Sequence, residues 1–293
     1  MEFLKKVDKG GAALGSSKTL GFGLPGLFMR TVGYKKEAEK ICYHLIIVGA
    51  GGTGGNLLTQ LGRFLKFYKK ENAEWNLTII DGDHVEEKNE NRQPFSDFDV
   101  MQNKAAVMKE GLEECFGLDS SRIKAHADYI SSVEELHKIC DTLFGEKCNE
   151  MVILLGCVDN HRARQIMHQF FYDRENVYYI DSANEFSNGE IVCGLRLAGM
   201  DIAPPRGYYY EDVLTDRSPS AKETSCGAVN ISRPQHIATN LLAAVHCLSF
   251  IVKIMQGQYP DIGILYFDVF KHYSRFEAWN SKEKVPGKEE VLV

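Results

Sequence analysis

The chain has 293 residues, 44% of them apolar and 25% charged, with a formal net charge of −6 and a pI near 5.9. Such a balance supplies no global basic field to gather nucleic acid or anionic lipid. Charge is screened beyond about 8 Å, however, so a local cluster can still hold a phosphate. Eight cysteines are scattered without a CxxC pair and no cleavable signal peptide is evident, which speaks for reduced thiols in a cytoplasm and against a four-thiolate structural zinc, so no structural zinc is expected.

Residues 1–40 read as a loose, Gly- and Lys-rich arm. Its Gly10–Thr19 stretch has the outline of a phosphate loop, but two serines separate Gly15 from Lys18 and no apolar strand precedes it. A body over 41–281 follows, with a strand at 44–48 and a helix carrying Leu57, Leu58, Leu61, Phe64, Leu65 and Tyr68 at helical spacing. Next come a strand at 77–80, a loop at 82–100, a helix near 102–116 and a strand at 123–129. A helix at 132–144, a strand at 151–155, a helix near 160–174 and a strand at 178–180 complete the run. Strands apolar on both faces alternating with helices predict an α/β, Rossmann-like, mostly parallel sheet covered on both sides.

Beyond this the rhythm changes. A tight turn at Asn188-Gly189 predicts an antiparallel strand over 190–197, and 199–232 reads as a long crossover loop of the kind that is functional or mobile. Ser232 and Gln235 form a capping-box pattern opening an apolar helix over 233–256. Asn240, His246 and Lys253 interrupt that helix, so it reads as buried, not as a membrane span, lining either a core or a dimer interface. A strand at 264–269 and a polar tail over 282–293 end the chain.

Chemistry concentrates in three places. Gly49-Ala50-Gly51-Gly52-Thr53-Gly54 fits G-x-G-x-x-G between a strand and a helix, where backbone N–H groups and the helix dipole meet phosphate. Asp81, at the end of the second strand, stands where an acid binds ribose hydroxyls. Alone, these residues describe a dinucleotide site or a structural turn. The second place is Asp81-Gly-Asp83-His-Val-Glu-Glu-Lys-Asn89-Glu-Asn-Arg92-Gln93, followed by Lys104; the third is Asp159-Asn160-His-Arg-Ala-Arg164. Taken singly each has a plain structural reading: Arg92 pairing with Asp97 or Asp99, Lys104 as a helix-face lysine, Asp159 as a helix cap.

In order and at this spacing, these segments resemble the ThiF/MoeB/ubiquitin-activating superfamily of adenylating enzymes over about residues 43–200. Gly156-Cys-Val-Asp159, Asn188-Gly189-Glu-Ile and Ser-Cys226 ahead of the Gln235/Asn240 helix are most similar to the ThiF-like proteins of the PRTRC cassette. The resemblance implies ATP and Mg²⁺ as ligands, bound by Gly49, Gly51, Gly52, Gly54, Asp81, Asp83, Asn89, Arg92, Gln93, Lys104, Asp159 and Asn160. In that reading Arg92 and Lys104 hold the β and γ phosphates, and Asp159 seats the magnesium. It also implies a homodimer, a ubiquitin-like or sulfur-carrier substrate activated at its C-terminal glycine carboxylate, and partners of the conjugating-enzyme and JAB-type metalloprotease kinds.

Cys226 is the candidate thiol for a thioester, with His236 or Lys222 as candidate activators; Cys157 and Cys193 read as packed. An N-terminal Arg-Tyr-x-Arg-Gln element found in many relatives is missing, with Arg30 its weak substitute. Two other functions compete. An NAD-dependent oxidoreductase leaves Arg92, Gln93, Lys104 and Asp159 without a role, and a non-catalytic module would dock a ubiquitin-like tail without activating it.

Overall fold

The computed structural model describes residues 40–141, 149–217, 235–258 and 262–279, all within one compact unit. Nine strands form a single sheet among the described residues. They are β1 (Ile41–Val48), β2 (Ala73–Ile80), β3 (Ile123–His126), β4 (Asn149–Gly156), β5 (Val177–Asn184), β6 (Asn188–Leu197), β7 (Met200–Ala203), β8 (Gly263–Asp268) and β9 (Tyr273–Ala278). The order is β3-β2-β1-β4-β5-β6-β8-β9, with β7 added to β6. From β3 to β5 every pairing is parallel; every pairing involving β6 or β9 is antiparallel.

Among the described residues seven α-helices accompany them: α1 (Gly52–Phe67), α2 (Lys104–Phe116), α3 (Val133–Asp141), α4 (His161–Asp173), α5 (Arg206–Tyr209), α6 (Glu211–Thr215) and α7 (Ile237–Met255). Strand β1 is buried along nearly its whole length because both its faces are covered. Its side chains alternate between two cores. Tyr43, Leu45 and Ile47 meet Leu57, Leu58 and Leu61 of α1 and Ala243, Cys247 and Ile251 of α7. Ile46 and Val48 meet Leu136 of α3 and Ile166, Phe170 and Phe171 of α4. The order reverses at β1, which has β2 on one side and β4 on the other. The crevice beyond the carboxyl ends of β1 and β4 is therefore the topological switch point, where open α/β sheets bind ligands.

Four expectations need correction. Asn188 and Gly189 lie inside β6, not in its turn; the reversal falls over 185–187, closed by Glu185 N–H donating to the Asn188 carbonyl (2.8 Å). A side chain at Gly189 would press on Asn184 Oδ1 at 2.6 Å, so the glycine serves close packing. The stretch expected as an unbroken loop from 199 begins with β7, α5 and α6, elements too short to show a period. Helix α7 starts at Ile237, capped by His236, whose Nδ1 accepts from Ala238 N–H (3.2 Å). Gln235 therefore sits ahead of the helix and donates to the Asn184 carbonyl (3.0 Å), while Ser232 lies outside the described residues. Finally, β3 stops at His126, and the exposed edge strand β9 had no sequence signal.

Candidate active site

The glycine loop follows β1 at the switch point. Gly49 has φ +95°, a left-handed conformation that side chains resist, and a Cβ there would overlap the Cys157 carbonyl at the end of β4. A Cβ at Gly54 would overlap the Gly49 carbonyl oxygen. The loop is thus drawn tightly under the first turn of α1. Gly51 is the helix N-cap, no side chain caps it, and no acid lies in the first turn. The opening N–H groups and the positive end of the dipole are left for an anion.

Asp81 is buried beneath this loop. Its Oδ2 accepts Ala50 N–H at 2.6 Å and its Oδ1 accepts Asp83 N–H at 2.8 Å, so the carboxylate holds the glycine loop and the acidic segment in register. Burial pushes its pKa up, with the Lys104 ammonium pulling the other way. Both oxygens already carry backbone partners, so a ribose hydroxyl could reach only a second lone pair. Asn103 completes the brace. It caps α2 by accepting Ala106 N–H (3.1 Å) and donates to the carbonyls of Asp81 (2.8 Å) and Asp83 (3.1 Å).

Lys104, the next residue, is almost fully buried, and its Nζ lies 3.0 Å from Asp83 Oδ2. Tyr129 Oη donates to the other Asp83 oxygen, with its ring stacked against Gly82. Burial works to raise the Asp83 pKa, but Lys104 and the Tyr129 hydroxyl outweigh it and hold the carboxyl below its ordinary value. Lys104 is accordingly no plain helix-face lysine; it is a buried cation with one half-exposed carboxylate partner.

Asn89 is buried and shapes the next turn. Its Oδ1 accepts Glu86 N–H (2.9 Å), and its carbonyl accepts the N–H groups of Arg92 (3.1 Å) and Gln93 (2.9 Å). Arg92 forms no ion pair with Asp97 or Asp99 among the described residues; Asp99 is occupied by Ser96. Gln93 packs beside Gly51, and its buried Oε1 has no hydrogen-bond partner. From the other side Asn240 of α7 packs against Gly52. It is fully buried, and neither its Oδ1 nor its Nδ2 finds a partner. Unpaired buried amide groups are costly, so two of them flanking one glycine loop point to a polar ligand. In the sequence Asn240 shows only as an amide inside an apolar helix and as part of the Gln235/Asn240 resemblance, neither of which places it at the glycine loop.

At the end of β4, Asn160 rather than Asp159 caps α4, with Oδ1 accepting Ala163 N–H at 2.8 Å. Asp159 is left exposed. Arg164 reaches back from α4 to the carbonyls of Val158 (2.6 Å) and Ser182 (3.1 Å) and to Asp181, so this arginine braces the Asp159 loop. Asp181 is fully buried and shared with Arg206 of α5 (2.7 Å), which also pairs with Glu190. Composition and motif spacing revealed neither Asp181 nor Arg206.

Among the thiols, burial pushes Cys157 up to about 12 and raises Cys193 further, as suits packed residues. Cys226, Lys222 and Arg30 lie outside the described residues. The structure thus gathers Gly49, Gly51, Gly52, Gly54, Asp81, Asp83, Gln93 and Lys104 about one loop. It holds Asn89 and Arg92 in the turn leading to Gln93, and Asp159 and Asn160 beyond the neighbouring strand.

No curated protein matches the chain in sequence. Solved structures do match in fold. PaaA aligns with a TM-score of 0.54 at 18% identity, over 81% of this chain and 64% of its own. An ATP complex of E. coli MccB aligns with 0.53 at 18%, over 80% and 63%. TcdA (CsdL) aligns with 0.50 at 16%, over 73% and 86%. The chain therefore spans less than two thirds of the length of PaaA and of MccB. The model of the ThiF family matches residues 29–285, most of the sequence, and the chain belongs to the ThiF family.

Proposed function

We propose that this protein is an ATP-dependent adenylating enzyme acting on the C-terminal carboxylate of a ubiquitin-like or sulfur-carrier protein. One observation carries the reading. An uncapped helix N-terminus at the switch point has Gln93, with its unpaired Oε1, and the unpaired Asn240 amide beside its first glycines; Lys104 is tied to the same loop through Asp83 and Asp81, and Asp159 past the end of β4 caps nothing. Solved MccB structures holding ATP, or AMPCPP with MccA, support it by family kinship.

In this reading the helix N-terminus and glycine loop bind phosphate, while Arg92 and Lys104 neutralise the departing pyrophosphate. Lys104 does so by exchanging its bond to Asp83 for one to phosphate. Asp159, a hard exposed carboxylate, is the residue that fits Mg²⁺, which when bound would neutralise phosphate charge. A carboxylate oxygen of the carrier attacks the α-phosphorus, the bond to pyrophosphate breaks, and an acyl-adenylate results; positioning and charge do the catalytic work. The Cys226 thiol then takes the acyl group as a thioester, releasing AMP. Homodimerisation fits the stripe of Ile237, Leu241 and Val245 that α7 leaves exposed. Conjugating-enzyme and JAB-type partners belong to the same proposal.

Calorimetric titration with Mg·ATP, and with NAD as control, tests the nucleotide. ATP binding that weakens in Asp159→Ala only when magnesium is present is the expected result; preference for NAD overturns it. Pyrophosphate release on adding the carrier separates an enzyme from a docking module. Cys226→Ser should keep adenylation and lose a reducible covalent adduct.

A further inference from the structure

We propose that His44, Cys140 and Glu150 bind one thiophilic divalent cation, zinc(II) by the chemistry of the ligands, at a place separate from the nucleotide crevice. The three come from different elements: His44 from the middle of β1, Cys140 from the last turn of α3, and Glu150 from the start of β4. Their donor atoms all lie within 4.8 Å of one another. His44 Nδ1 is 3.3 Å from Cys140 Sγ, and Cys140 Sγ is 3.8 Å from Glu150 Oε1. In a tetrahedral zinc site, bonds of about 2.3 Å to sulfur and about 2.0–2.1 Å to nitrogen or oxygen place such neighbours roughly 3.6 Å apart. The two sulfur edges are therefore already close to those of a coordination polyhedron, and the His44–Glu150 edge, at most 4.8 Å, would close on the ion.

The outer shell fits as well. His44 Nε2 lies 3.2 Å from Thr78 Oγ1 on β2. With Nε2–H donating to that hydroxyl, Nδ1 turns its lone pair toward Cys140, the arrangement that orients histidine ligands in metal sites. His44 and Cys140 are completely buried, and Glu150 is half-buried. Charge balances too. The nearby Arg174 guanidinium is engaged by Asp141 at 2.5 Å, so the cation faces a Cys140 thiolate and a Glu150 carboxylate. On binding, the Cys140 S–H proton passes to solvent as the sulfur–metal bond forms, and a water takes the fourth position. A Cys/His/carboxylate set selects zinc over calcium or magnesium. The bound ion would tie α3 to β1 and β4 on the face opposite α1 and α7.

The test is cobalt(II) titration of the chelator-treated full chain, with zinc content measured on protein purified without chelator. One equivalent of cobalt should give visible d–d bands and a near-ultraviolet thiolate-to-cobalt charge-transfer band, both displaced by zinc, and zinc should raise the melting temperature. Cys140→Ser, nearly isosteric, should abolish the charge-transfer band. Thr78→Val should weaken cobalt binding by about tenfold or more without removing the band. Cys115→Ser, at an exposed cysteine, should leave the spectrum unchanged. Absence of stoichiometric binding, or a charge-transfer band that survives Cys140→Ser, overturns the proposal. None of these readouts depends on ATP.

Discussion

Replacing Asn240 with leucine separates stability from binding in an unusual way. The two side chains have similar shape, so the substitution leaves little cavity at a site that is completely buried. What it removes is an amide whose Oδ1 and Nδ2 have no partner. Each unpaired buried group costs about 1–3 kcal/mol, so the ligand-free variant should be more stable by at least about 2 kcal/mol. In a unit of this size that corresponds to a melting temperature higher by roughly 4–8 °C. The same change deprives the glycine loop of its amide neighbour at Gly52. Loss of one or two neutral hydrogen bonds to nucleotide predicts affinity for Mg·ATP about tenfold weaker or worse. Urea denaturation and calorimetry on the same preparations read both effects. A destabilised Asn240→Leu that binds ATP like the parent would refute the argument, since the amide would then be serving the fold and not the ligand.

Gly54→Ala places a Cβ into the Gly49 carbonyl, so it should lower stability by about 1–3 kcal/mol and abolish nucleotide binding while circular dichroism still reports a folded sheet. Arg164→Ala withdraws a brace from the Val158 and Ser182 carbonyls. It should lower the urea midpoint and leave Mg·ATP affinity to follow stability, whereas Arg92→Ala, at a residue without an ion pair, should weaken ATP binding with the midpoint unchanged. The Asp83 carboxyl, held below its ordinary value of 3.8, binds fewer protons folded than unfolded. Its contribution to stability is therefore complete above pH 3.8 and fades as pH falls through the lower folded value. Tyr129→Phe removes one cause of that depression, so the acid limb of the urea midpoint, measured against pH, should move to higher pH. An unmoved limb would mean that Lys104 alone sets the titration.

Much of this was open to reading in one dimension. Buried parallel strands carry continuous apolar runs, and helices between them repeat at 3.6, so the alternation from 41 to 184 shows in the sequence as a doubly covered sheet. The glycine loop was legible because its geometry depends on the residue type itself: only glycine accepts φ +95° at Gly49 and the close approach at Gly54. Local chemistry of this kind travels with the chain. Single-turn elements such as α5 and α6 were not legible, being shorter than any period that could announce them, and the edge strand β9 has no buried face to impose alternation.

Partnerships between distant residues belong to tertiary structure alone. Lys104 meets Asp83, Asn160 takes the cap that leaves Asp159 exposed, and Asn240 reaches Gly52 from nearly two hundred residues away. His44, Cys140 and Glu150 share no motif spacing, and the missing CxxC pairs speak only to sites whose ligands are neighbours in sequence. Sequence determined which backbone could approach a phosphate, because that is a property of each residue and its immediate neighbours. Which side chains are left unpaired around that phosphate was decided only when the sheet brought the ends of β1, β2 and β4 and the start of α7 to one crevice, since pairing is a property of space.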